Sequence, residues 1–139
     1  MALSKVEQIL QAIVATITPT SGISSKVFRD RWEAVARNEM PCLVVEPLGE
    51  EPVKVSICFT DYILTVAVDI LISGSPLSEL ADPIRVDLHS RLMANRQLGG
   101  LAHLITPGPS EWMGESGEIG ILALRYRVPF RTQVADLTQ

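Results

Sequence analysis

The chain has 139 residues, 47% of them hydrophobic and 20% charged, and its 12 basic and 16 acidic residues leave a net charge of −4. That length suits a single domain able to bury roughly two-thirds of its unfolded surface without a disulfide or metal staple, and the composition excludes global disorder. The acidic balance removes the electrostatic ground for a nucleic-acid-coating protein, and no sequence-specific nucleic-acid contact is expected.

The segment from Met1 to Ile17 carries Lys5 as its one positive charge and is interrupted by Glu7, Gln8 and Gln11, so it does not read as a signal peptide. No apolar run approaches the ~20 residues of a membrane span. The expectation is a soluble cytoplasmic protein with no membrane contact. Cys42 and Cys58 both lie in apolar, strand-like runs. They read as buried free thiols, with a disulfide open only if those strands are neighbours.

In chain order, Leu3, Val6, Ile9, Leu10, Ile13, Val14 and Ile17 recur at helical spacing. This predicts an amphipathic helix over 1–18, stopped by Thr18-Pro19. Residues 19–31 read as a mobile Ser/Thr/Gly linker with a short extended piece at Val27-Phe28-Arg29. Asp30 to Arg37 suggests a helical turn or two, with Trp32, Val35 and Ala36 on one side.

Pro41 to Pro47 reads as a short strand bracketed by prolines, and Gly49-Glu50-Glu51-Pro52 as a turn. Apolar positions then fall on odd numbers (Val53, Val55, Ile57, Phe59) and, after Asp61, on even ones (Tyr62, Leu64, Val66, Val68, Ile70, Ile72). A period-2 pattern cannot change parity in an undisturbed strand. A hairpin with a tight turn at Thr60-Asp61 is the preferred account, and one long bulged strand the alternative.

Ser73 to Pro76 turns the chain into a helical pattern through Leu80, Ile84, Leu88 and Leu92. Asp82-Pro83 suggests that the regular helix starts there, with Leu77 to Ala81 as a looser lead-in; a kinked helix from Leu77 is the alternative. The helix exits through Leu98-Gly99-Gly100 into a short strand at Leu101 to Ile105, then a loop from Thr106 to Ser110. Gly114 to Glu118 reads as a hairpin turn. From Ile119 to Arg131 the pattern alternates, with Leu122, Leu124, Tyr126, Val128 and Phe130 on one face and Arg125, Arg127, Pro129 and Arg131 on the other. Residues 133–139 read as a frayed tail. The expected fold is α+β: a single domain with a mostly antiparallel, mixed β-sheet and helices packed on one face.

Chemistry is sparse. His89 and His103 lack neighbours at metal-ligand spacing and read as a helix-surface and a strand-end residue. No G-x-S-x-G elbow, activated cysteine, P-loop or dinucleotide fingerprint is present. No enzyme, metal or cofactor is expected. What a plain monomer does not require is the arginine ladder of Arg125, Arg127 and Arg131. It reads either as a solvated face with aliphatic stems packed along it, or as an interface pairing with carboxylates such as Glu46, Glu50 and Glu51 of a second subunit. Ser73 to Leu77 and Thr20 to Arg31 read as extensions that order on assembly.

Taken together, the N-terminal helix, the proline-led strand Met40-Pro41-Cys42-Leu43-Val44-Val45-Glu46, the long alternating strand Tyr62 to Ile72, the exit Arg96-Gln97-Leu98-Gly99-Gly100-Leu101 and the final strand Leu124 to Thr132 resemble the tail terminator (tail completion) proteins of long-tailed bacteriophages, the family of minor tail protein U. Pro129 departs from a clean central ladder and suggests an edge strand or a bulge. The resemblance implies a non-enzymatic virion assembly protein. Such proteins form a ring, typically hexameric, on the finished tail tube, stop its growth and offer the surface for head joining. The implied partners are further copies of the chain, the tail-tube protein and a head-completion or connector protein. The implied places are the bacterial host cytoplasm during assembly and the head-proximal end of the virion tail. The alternatives are another head–tail joining or tail-completion component and, from a different class, a small cytoplasmic ligand-binding α+β domain.

Overall fold

The computed structural model describes residues 2–20, 22–23, 26–29, 39–74, 76–114 and 119–139. Among these residues two α-helices and a mixed sheet form one α+β unit: α1 (Lys5–Ile17), β1 (Val27–Arg29), β2 (Cys42–Val55), β3 (Phe59–Ser73), α2 (Leu77–Met93), β4 (Thr106–Pro107), β5 (Glu111–Gly114) and β6 (Ile119–Gln133). The sheet runs β1-β2-β3-β6-β4, and β5 also pairs with β6. β1 is parallel to β2, and every other pairing is antiparallel.

α1 starts where Ser4 accepts a hydrogen bond from the Glu7 backbone N–H at 3.2 Å, satisfying an amide that the first helical turn leaves open. The Glu7 carboxylate turns instead to Arg29 of β1, whose Nη2 donates to Oε1 at 3.1 Å. That guanidinium, chiefly through its hydrogen bonds, lowers the Glu7 pKa and ties the helix to the sheet edge. Ile9, Leu10, Ile13 and Ile17 of α1 and Ala81, Ile84, Leu88 and Leu92 of α2 are buried against the sheet. They meet Leu64, Val66, Val68, Ile70 and Ile72 of β3 and Leu122, Leu124, Tyr126, Val128 and Phe130 of β6. Each large aliphatic side chain so enclosed contributes ~1.5–3 kcal/mol relative to exposure.

Several sequence expectations are corrected here. β2 does not stop at Pro47, and Gly49 to Pro52 is strand rather than turn. The register slips at Leu48, between Pro47 and Gly49, and at Val53, between Pro52 and Lys54. Each slip adds a residue to one strand and flips its faces, but neither falls at Thr60-Asp61: β3 is unbroken there, and the odd-numbered run differs because Val53, Val55 and Ile57 are exposed while Phe59 lies on the sheet face opposite Tyr62. Thr60 and Asp61 lie inside β3, and the hairpin turns at Ser56-Ile57-Cys58. Ser56 makes that turn without glycine or proline, its Oγ accepting from Phe59 N (3.1 Å) and Cys58 N (3.3 Å). Cys58 is accordingly exposed while Cys42 is buried, and the two form no disulfide.

α2 begins at Leu77, not Asp82, and carries Pro83 on its exposed side, away from the buried stripe. The expected strand at Leu101 to Ile105 is turn and loop, and Thr106-Pro107 of the expected loop is β4. Pro129 is neither edge nor bulge on the β3 side, where the register is unbroken from Phe59↔Gln133 to Ser73↔Ile119. Its carbonyl accepts from His103 N at 2.8 Å. A strand residue directs both backbone groups to one side, so the missing N–H faces the outer edge beyond β4, where no ladder bond is lost.

The expected linker is tied down at its described residues: Ile23 is wholly buried, and Leu43 N donates to Lys26 O at 2.9 Å. The tail docks rather than frays. Lys5 N donates to Leu137 O at 2.7 Å, and Gln8 Nε2 to Thr138 O at 3.2 Å. The expected helical turn at Asp30 to Arg37 and most of the expected turn at Gly114 to Glu118 lie outside the described residues.

Candidate interaction face

With both helices on one side, the other face of the sheet is lined by alternate residues of β2, β3 and β6. At one end Cys42, Val44 and Leu71 form a small buried apolar cluster with Phe28, Met40 and Ile121. Toward the other end the face becomes charged. Register puts Glu46 and Arg125 on either side of Ala67, Arg127 opposite Thr65, and Arg131 opposite Asp61.

The arginine ladder has mixed employment. Arg131 clamps Asp61 through Nε to Oδ1 (2.7 Å) and Nη2 to Oδ2 (3.2 Å), and its guanidinium lies 3.6 Å from the Phe59 ring centroid. Those hydrogen bonds, more than the charge alone, lower the Asp61 pKa and raise that of Arg131. Arg125 reaches Glu111 of β5, Nη2 to Oε2, at 3.2 Å. Two of the three arginines thus hold carboxylates of their own chain. Arg127 is exposed and makes no ion pair among the described residues.

The three glutamates do not form one acidic turn. Glu46, opposite Ala67, and Glu51, opposite Ile63, are on the open face. Glu50 lies opposite Leu64 and lines a separate hollow with Ser4, Val6, Tyr62, Phe130, Thr132 and Leu137.

The residue that sequence reasoning missed is Asp69. It is 7% exposed, and burial first, then the neighbouring Glu46 carboxyl, push its pKa up to about 7 against a weaker opposing pull from Arg125. Asp69 therefore keeps its proton to a higher pH than an ordinary aspartate, chiefly because burial disfavours its charged form. Asp69, Glu46 and Arg125 line a hollow of ≈ 240 Å³ with Leu48, Ala67, Met113, Ile121 and Ala123. The available signal was the lone charge inside the run Val66 to Ile72, since an acid amid buried strand positions demands an environment of its own.

On the helix side, His89 is not a free surface residue. Its Nδ1 lies 2.9 Å from the Tyr126 hydroxyl. Burial pushes the Tyr126 phenol up to about 12 and keeps it a neutral hydrogen-bonding group. Among the described residues no group of three His, Cys, Asp or Glu side chains is placed to hold a metal ion. Among the described residues no helix is long and apolar enough to cross a membrane.

A scan against protein-family models finds no match, and no curated protein sequence matches the chain. The residues themselves therefore carry the functional argument.

Proposed function

We propose that this chain is a non-enzymatic phage or prophage tail assembly protein. Copies close into a ring, of six in the resembled family, on the end of the tail tube. The ring stops tube growth and presents the surface that a head-completion or connector protein joins. The observation that supports this reading best is the far half of β2. Residues 47–55 are all exposed, and among the described residues no strand pairs with the outer side of β2 beyond Val45. Four apolar side chains stand in solvent there and at the adjoining turn: Leu48 (48% exposed), Val53 (53%), Val55 (69%) and Ile57 (96%).

Ile57 and Val55 are the most exposed large apolar side chains among the described residues, and their run with Leu48 and Val53 along one arm favours an interaction surface. The prolines, the two register slips and the charges of Glu50, Glu51 and Lys54 guard this edge against indiscriminate strand pairing, as natural edge strands are guarded. A ring requires two different patches of one subunit to match. The β2 arm with Glu51 supplies one, and the Arg127 region of β6 supplies a second of opposite charge. Reversing Arg127 to glutamate weakens assembly without unfolding the subunit, and adding Glu51→Arg restores it. Sedimentation velocity reads both. Equal assembly of Arg127→Glu and wild type would remove this pairing from the account.

A further inference from the structure

The hollow on the open sheet face has a polar floor that the chain leaves incomplete. Asp69 Oδ1 and Arg125 Nε are both buried without a hydrogen-bond partner. An unmet buried donor or acceptor costs ~1–3 kcal/mol, so a native fold that keeps one of each in a single pocket is complementary to something that supplies the reverse pair. Asp69 and Arg125 are diagonal neighbours across β3 and β6, because Ala67 pairs with Arg125 and Asp69 with Ala123. Diagonal neighbours on one sheet face have backbones only ~7–8 Å apart, so one small ligand can touch both side chains. The walls are apolar: Leu48, Ala67, Met113, Ile121 and Ala123.

We propose that this pocket binds a primary carboxamide on a short apolar stem, the chemistry of an asparagine or glutamine side chain or of a small free amide. The amide N–H donates to Asp69, and the amide C=O accepts from Arg125 Nε. Rotation about the last Asp69 torsion, which is soft, turns either carboxyl oxygen toward the ligand. Glu46 fixes the other end of the Asp69 carboxyl, and Glu111 holds the Arg125 Nη2 so that Nε is left for the ligand. The alternatives fit less well. An alkylammonium satisfies Asp69 but meets the Arg125 charge and leaves Nε unpaired. A carboxylate satisfies Arg125 but enters beside Glu46 and Asp69. The neutral amide satisfies both orphans without adding charge. The proposal is independent of the ring reading, since the pocket lies wholly within one subunit.

The test is methyl-detected NMR of the full chain, titrated separately with propionamide, propylammonium and propionate. The expected result is a saturable shift of the Met113, Ala67 and Ala123 methyls with propionamide, and binding of the two ions weaker by about tenfold or more, ~1.4 kcal/mol. No saturable shift with propionamide, or equal binding of an ion, overturns the proposal, water then being the better occupant. Ala67→Leu, which fills the pocket from its floor, abolishes the shifts; should that variant not fold, the three-probe comparison decides alone. Native mass spectra of the same variant separate the two sources. Oligomers lost with the shifts assign the amide to a neighbouring copy, and oligomers retained assign it to a free small molecule or another protein.

Discussion

Asp69 makes the stability of this fold depend on pH in an unusual direction. Its folded-state pKa, about 7, lies above the ordinary 3.8, so between these values the folded chain holds a proton that the unfolded chain releases. Stability from this group is therefore complete below about pH 4, declines as pH rises, and levels off above pH 7. A tenfold change in proton affinity is worth ~1.4 kcal/mol, which sets an upper bound of about 4 kcal/mol over that window. Residual water access and the pull of Arg125 reduce the expected effect to ~1–2 kcal/mol. Asp69→Asn keeps the shape and removes the titration. Urea unfolding at pH 5 and pH 8 should show the variant gaining ~1–2 kcal/mol on wild type between the two, with unchanged m-values. The comparison between the two proteins cancels the other carboxylates, including Glu7 and Asp61, whose depressed values act in the opposite sense. A difference that stays constant with pH would refute the raised affinity of buried Asp69 for its proton.

Further outcomes follow from other contacts. Asp61 should titrate by NMR below the usual aspartate range and return toward it in Arg131→Met; its contribution is present above the unfolded pKa and lost as pH falls through the folded one. A Cβ at Gly120 would come 2.9 Å from Leu77 Cδ2, the end of a half-buried side chain that can turn to another rotamer, so Gly120→Ala should cost ~1 kcal/mol or less in chemical denaturation. Leu88→Ala should cost ~2–5 kcal/mol from the fully buried stripe of α2. Removing residues 134–139 leaves Lys5 N without the Leu137 carbonyl and should lower stability by ~1–2 kcal/mol, with faster amide exchange in the first turn of α1.

Most of the sheet was legible because its central strands, β3 and β6, alternate cleanly and bury one face completely. α1 was equally legible from its apolar stripe and its proline stop. What sequence could not reveal lay where local chemistry contradicts the usual signals. The hairpin turns on Ser56 with Ile57 at its tip, so no Gly or Asn marks it, while Gly49 and Pro52, ordinary turn residues, sit in a twice-slipped strand. Pro83 looked like a helix start, yet the helix continues past it because the buried stripe of Ala81, Ile84 and Leu88 outweighs a proline on the exposed side.

The charged face was half legible. The ladder of Arg125, Arg127 and Arg131 follows from alternation alone, but its partners depend on register. Only the β3–β6 pairing puts Asp61 opposite Arg131, and only β5 brings up Glu111 for Arg125. That leaves Arg127 as the available cation and separates Glu46, Glu50 and Glu51 onto two faces. Asp69 gains its significance from Glu46, a residue of another strand that no local pattern places beside it.

The central claim, self-assembly into a closed ring, is tested most directly by native mass spectrometry over a concentration series, with negative-stain imaging of the largest species. The account predicts a discrete closed species of six subunits that Ile57→Asp on the β2 arm dissolves into folded monomers. A strict monomer at every concentration, or oligomers untouched by that substitution, would contradict it.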